Sequence, residues 1–197
     1  MTRIGVAGHQ DLTTATGALL RSVLRRELRA HSPLTGVCHL LPGADQAFAR
    51  AVLDAGGRLE VILPAADYRE QRINTEHLGE FDELLAAARS VRVAGFDRCC
   101  ARAYAAADAI MLGCVDCLIA VWDGRTPARL GGIGGAIVAA HRLGLPTRLI
   151  WPAEAARLSA VPAPPPAAPH ARPAAPDSLL AAPTRIPTTR GQEALAG

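Results

Sequence analysis

The chain has 197 residues, 50% hydrophobic and 20% charged, which fits one domain with an appendage. All 21 basic residues are arginine, so lysine Schiff bases, a pyridoxal anchor and a Walker-type phosphate lysine are excluded. A net charge of +3 with 4% aromatic residues gives no strong nucleic-acid signal, neither an electrostatic footprint nor a base-stacking platform.

The opening residues, MTRIGVAGHQDL, lack signal-peptide architecture, and no apolar run reaches the roughly 20 residues of a membrane span. A cytoplasmic protein with no membrane partner is expected. RIGVAG, residues 3–8, reads as a buried strand. A helix over about 16–30 follows, with Leu20, Val23, Leu24 and Leu28 on one face and Arg21, Arg25 and Arg29 on the other. GVCHLL (36–41) is a second strand, and residues 45–55 form a helix closed by Gly56 and Gly57. LEVIL (59–63) is a third strand, stopped by Pro64. A polar stretch gives a loop and then a helix ending near Ala88, before a weak strand at 91–94. Residues 102–112 are helical, CLIAVW (117–122) is a strong buried strand, 134–143 a helix and 147–151 the last strand.

Repeated strand–helix units of this length predict an α/β fold, a Rossmann-like three-layer sandwich around a mostly parallel sheet. The predicted order is third, second and first strand, then 117–122, then 147–151, with the weak strand at the far edge beside the third. That order sets Gly8 and His9 beside Asp123 and Gly124. Ten of the 15 prolines fall in residues 152–197, an alanine-rich stretch that cannot supply a core. The expected organisation is therefore a domain over 1–151 and a disordered or extended Pro/Ala-rich tail over 152–197.

Open parallel sheets bind ligands beyond the carboxyl ends of their strands, where strand order reverses. Those ends carry Gly8-His9-Gln10, Gly43-Ala44-Asp45-Gln46, Asp123-Gly124 and the run Gly131-Gly132-Ile133-Gly134-Gly135 ahead of a helix. Glycines there let a phosphate approach unpaired backbone N–H groups; a tight turn would use the same residues. Asp45 is read as a ribose acceptor or a helix cap. Asp123, ending an apolar strand, needs a ligand or a partner. His9 donates to phosphate or fixes its loop. Gln10 and Gln46 are base or ribose readers, and Tyr68 stacks on a base or packs. Trp122 packs in the core. Asp108, in an apolar helix, points at the pocket or pairs with Arg102 or Arg142.

The adjacent Cys99 and Cys100 and the Cys114-x-x-Cys117 run lack a convincing ligand pattern, so no metal or cofactor is expected. His31, His39, His77 and His141 are read as structural.

The segments VAGHQDL, LPGADQAFARAVLDAGGRLEVILP, YAAADAIMLGCVDCLIAVWDG and GGIGGAIVAAHRLGLPT together resemble the SLOG superfamily. That group includes Lonely Guy-type phosphoribohydrolases, DNA-processing proteins and predicted sensors of nucleotide-derived signals. The resemblance implies a Rossmann-like domain that binds a nucleotide or nucleotide-sugar, with a homodimer plausible for the family. Departures matter as well. The hydrolase signature, Pro-Gly-Gly-x-Gly-Thr with a later glutamate, becomes Leu130-Gly131-Gly132-Ile133-Gly134-Gly135, and the glutamate position falls on Val138. Valine cannot stabilise oxocarbenium-like charge or orient water. Three functions are carried forward: a binder or sensor of a nucleotide-derived small molecule; an N-glycosidase of nucleoside phosphates using an aspartate such as Asp123, Asp45 or Asp108; and a dimeric scaffold whose tail engages partners.

Overall fold

In the computed structural model, the described residues are 1–125 and 132–158. Six strands form one sheet: β1 (Thr2–Gly8), β2 (Leu34–Cys38), β3 (Arg58–Leu63), β4 (Ser90–Val93), β5 (Cys117–Val121) and β6 (Thr147–Ile150). The helices are α1 (Thr14–Leu28), α2 (Ala44–Asp54), α3 (Tyr68–Arg72), α4 (Thr75–Ala87), α5 (Ala101–Leu112) and α6 (Gly132–Arg142). The strand order is β4-β3-β2-β1-β5-β6, as the sequence predicts, and every neighbouring pair is parallel.

Two apolar layers hold the helices to the sheet. On one face Ile4, Val6, Leu59, Val61, Ile119 and Val121 meet Leu20, Leu24 and Leu28 of α1, Phe48 and Val52 of α2, and Phe81 and Leu84 of α4. On the other, Val37, Ile62 and Leu118 meet Ala107, Met111 and Leu112 of α5 and Ala140 of α6. The alternation along each strand explains the division, since successive side chains leave opposite faces. Burial of both faces explains why CLIAV reads as a continuous apolar run and LEVIL as one broken only by Glu60, which pairs with Arg3 at 2.7 Å. Among the described residues no helix is long and apolar enough to cross a membrane.

The chain does not leave the domain where β6 ends. Residues 152–158 turn back across the strand ends and lie along the loop from β1 to α1. There the Thr13 N–H donates to the Ala156 carbonyl at 3.3 Å, and the Leu158 N–H donates to the Asp11 carbonyl at 2.7 Å. The Thr16 hydroxyl donates to the Ala156 carbonyl at 2.9 Å and accepts from its N–H at 2.8 Å. These bonds satisfy backbone groups that a free tail would leave to water. The rest of the expected tail, 159–197, lies outside the described residues.

Candidate functional site

β1 ends on Gly8, and His9 stays tied to the neighbouring strand through its N–H, which donates to the Val121 carbonyl at 3.2 Å. The loops after β1 and β2 touch backbone to backbone: the Ala44 N–H donates to the His9 carbonyl at 3.0 Å. No side chain fits between them. A Cβ on Gly8 would collide with the Ala44 Cβ and lie 2.9 Å from the Val121 Cβ; one on Gly43, at φ +85°, would lie 2.6 Å from the His9 carbonyl oxygen. The close approach of two loops therefore accounts for Gly8 and Gly43 without any ligand.

Asp45 lies in the first turn of α2, which Gly43 caps without a side-chain bond. Its Oδ2 reaches backward to accept from the His39 N–H at 3.0 Å, and the residue is 4% exposed. Burial raises its carboxyl to about pKa 6, although His39 and the His39 and Leu41 amides pull the other way. Asp45 thus fastens the end of β2 rather than presenting a free acceptor to the rim.

His39 extends that buried cluster. Its Nδ1 lies 2.7 Å from the Ile62 carbonyl oxygen and its Nε2 3.1 Å from Asp108 Oδ1. Asp108, read as pointing at the pocket or pairing with Arg102 or Arg142, pairs with this histidine. Two acceptors facing two ring nitrogens suit a protonated imidazole. Burial opposes that charge, but Asp108, Asp45 and the Ile62 carbonyl outweigh it and raise the histidine pKa. Tyr68 is fully buried, its ring 6.2 Å from that of Tyr104 and 6.3 Å from that of Phe81. Packing claims it, leaving no face for a base. Trp122 is half-buried, and its indole N–H finds no partner among the described residues.

Strand order reverses between β1 and β5, and five side chains meet there. His9 Nε2 lies 3.0 Å from Asp123 Oδ1, and its ring stands edge-on to Trp151 with centroids 5.5 Å apart. Asp123 Oδ1 also accepts from the Arg125 N–H at 3.0 Å, across a turn at Gly124 with φ +76°. Arg157 donates to Asp11 from Nε at 3.0 Å and from Nη2 at 3.0 Å, while its Nη1 lies 3.4 Å from Asp123 Oδ2. Burial alone would raise the Asp123 carboxyl; the Arg125 N–H, His9 and Arg157 overcome it and hold the pKa below the usual carboxylate range. Burial lowers the His9 pKa, with Arg157 adding to the effect against Asp123. The neutral imidazole is favoured.

Open space lies beside this crevice. A groove of about 210 Å³ runs between the loop after β1, the first turns of α1 and α2, and α4. Its walls include Gln10, Thr14, Gly17, Arg21, Gln46 and His77. Gln46 is 2% exposed, and its amide N–H donates weakly to the Leu40 carbonyl at 3.4 Å. Gly17, inside α1, has nothing within 4 Å of where a side chain would stand.

Of the predicted site residues, Gln10, Gly43 and Gln46 therefore line the groove. His9 and Asp123 meet at the crevice, and Ala44 and Asp45 are buried in the loop contact. Gly132, at φ +70° and with no described residue within 4 Å of where a side chain would stand, Ile133, Gly134 and Gly135 begin α6; Gly131 lies outside the described residues. Around the groove and the crevice the structure also places Arg157, Arg21, Gly17 and His77, which the sequence reading did not put there, and it pairs Asp11, just beyond the first strand, with Arg157. Arg21 was hidden in the polar face of a helix, and Arg157 in the edge of a proline-rich stretch. All five cysteines are free, and among the described residues no cluster of three or more His, Cys, Asp or Glu could hold a metal ion.

No protein-family model and no curated protein matches the chain. Solved structures do. DNA processing protein A from Streptococcus pneumoniae superposes with a TM-score of 0.57 at 16% identity over 78% of this chain and 52% of its own. The chain thus spans about half the length of that protein. The same protein from Helicobacter pylori, described with a single-stranded DNA binding mode, gives 0.56 at 14% identity over 80% of this chain and 67% of its own. A molybdenum cofactor binding protein from Rippkaea orientalis gives 0.50 at 17% identity over 75% of each chain. The chain accordingly shares a Rossmann-like α/β fold with these proteins.

Proposed function

We propose that the protein binds a nucleotide or nucleotide-sugar along the carboxyl rim of its sheet, with one part of the ligand in the groove beside Gln10 and Gln46. The groove is the observation that carries this reading. It is concave, it opens at the first turns of two helices, and the nearly buried, polar Gln46 forms part of its wall. Backbone N–H groups of those turns attract negative charge. A volume of about 210 Å³ is smaller than the ~300–1,000 Å³ of typical ligand pockets, so it takes part of a nucleotide. The rest extends along the rim toward the glycines that open α6, whose backbone amides suit a phosphate. With no lysine in the chain, such amides and arginine are the available phosphate holders.

Binding without turnover is the better supported form. Val138 stands where the hydrolase resemblance would place its glutamate, Asp45 is committed to a backbone amide, and Asp123 is engaged by Arg157. Single-stranded DNA, bound by the H. pylori neighbour, would meet a chain of net charge +3 with few aromatic residues.

Incubation of the protein with AMP, CMP, NAD, ADP-ribose and an oligothymidylate, followed by thermal melting and chromatography, tests the reading. The expected result is a raised melting temperature with at least one nucleotide and no released base. Released base or ribose 5-phosphate makes the protein an N-glycosidase. A response to oligothymidylate alone, or to nothing, refutes the proposal.

A further inference from the structure

The segment that follows β6 stands across the ligand path just proposed, and this inference rests on that reading. Asp11 lies between Gln10 and Leu12, both of which line the groove. Asp123 starts the loop that leads to α6. Arg157 bridges the two carboxylates, so its guanidinium spans the crevice between the loop after β1 and the end of β5. It also satisfies acceptors that would otherwise face the crevice as charges. A ribose diol would donate to the same carboxylate oxygens.

We propose that residues 152–158 form an intramolecular strap in which Arg157 occupies the hydroxyl-recognising centre of the site, so that ligand entry requires the strap to lift. The strap is built to be released. The contacts that hold it include an isolated antiparallel bridge between Leu12 and Arg157, the Ala156 bonds to Thr13 and Thr16, the Leu158 N–H on the Asp11 carbonyl and the Arg157 ion pairs. Its last described residue, Leu158, is 74% exposed and adds nothing to the apolar core. Segments with few buried apolar contacts open at low free-energy cost. A ligand that binds only the open form has its apparent affinity reduced by the fraction of closed protein.

The alternative role for Arg157 predicts the opposite sign. As a direct phosphate contact it would strengthen binding, and its removal would weaken it. Affinity for whichever of AMP and ADP-ribose the unaltered chain binds more tightly is therefore measured by calorimetry for the full chain and for two variants. Arg157→Ala removes the occupant. Leu158→Pro removes the N–H bonded to Asp11 while leaving the guanidinium in place. The strap predicts that both variants bind roughly three- to tenfold tighter than the parent. It also predicts that saturating ligand increases deuterium uptake in residues 153–158 of the parent. Equal or weaker binding by both variants, or ligand-induced protection of that segment, overturns the strap while the nucleotide reading stands. If neither parent nor variants bind either nucleotide, the nucleotide reading fails and the strap fails with it as a gate. Should Leu158→Pro melt more than a few degrees below the parent, Arg157→Ala with the exchange measurement decides the matter.

Discussion

Replacing Gly8 with alanine puts the loop contact to a quantitative test. The added methyl would collide with the Ala44 Cβ in the first turn of α2 and stand 2.9 Å from the Val121 Cβ on β5. Neither obstacle is the end of a flexible side chain, so relief requires backbone to shift. Overpacking of this kind costs about 1–3 kcal/mol. Ala44→Gly removes one of the two collisions at a helix-propensity cost of up to about 1 kcal/mol. In the double variant the two changes should couple favourably by roughly 1 kcal/mol, with incomplete recovery because Val121 remains. Urea unfolding of the four proteins, with slopes compared to exclude a changed denatured state, supplies the cycle. Strictly additive effects, or a Gly8→Ala variant as stable as the parent, would refute the close-approach explanation and return Gly8 to the ligand reading.

Two further predictions concern the buried cluster and the groove. His39 has a folded-state pKa above its ordinary 6.5, so its contribution is fully present below pH 6.5 and is lost as the pH rises through the folded value. Asp45, raised from 3.8 to about 6, acts in the same direction, because charging it between those values favours the unfolded chain. His39→Gln should therefore destabilise by roughly 1–3 kcal/mol near pH 6 and by less near pH 9, read by urea unfolding; an unchanged difference across that range contradicts the charged pair. Gly17→Leu should fill the groove while raising helix stability by about 0.5–1 kcal/mol. Calorimetry should then show affinity falling about tenfold or more in a protein that melts no lower than the parent.

The sheet was legible because its information is local. CLIAV is apolar at every position and LEVIL at all but Glu60, as strands covered on both faces tend to be, and the helical repeat between them fixes parallel crossovers. From the strand order alone His9 could be set beside Asp123, and their side chains do meet. What escaped is information carried by separation. His39 and Asp108 are 69 residues apart, and neither helical nor strand periodicity links them. Arg157 lies 146 residues from Asp11 at the start of a proline- and alanine-rich stretch, where composition argues for a tail. Its neighbours Ala156 and Leu158 hold it through backbone bonds, which leave no residue-type signal. The glycines show the converse difficulty. Gly8 and Gly43 resemble phosphate-binding positions in sequence, yet the loop contact explains them, while Gly17 looked unremarkable and borders the open space.

The central claim is that a nucleotide-type ligand occupies the carboxyl rim from the groove to α6. Titration of the isotope-labelled full chain with AMP or ADP-ribose, followed by amide NMR, addresses it most directly. The account predicts saturable shifts of the Gln46 side-chain amide, of the backbone amides of residues 13–17 and of residues 132–135. Binding that leaves all three groups unmoved and shifts amides elsewhere, such as the amino ends of the strands, would contradict it.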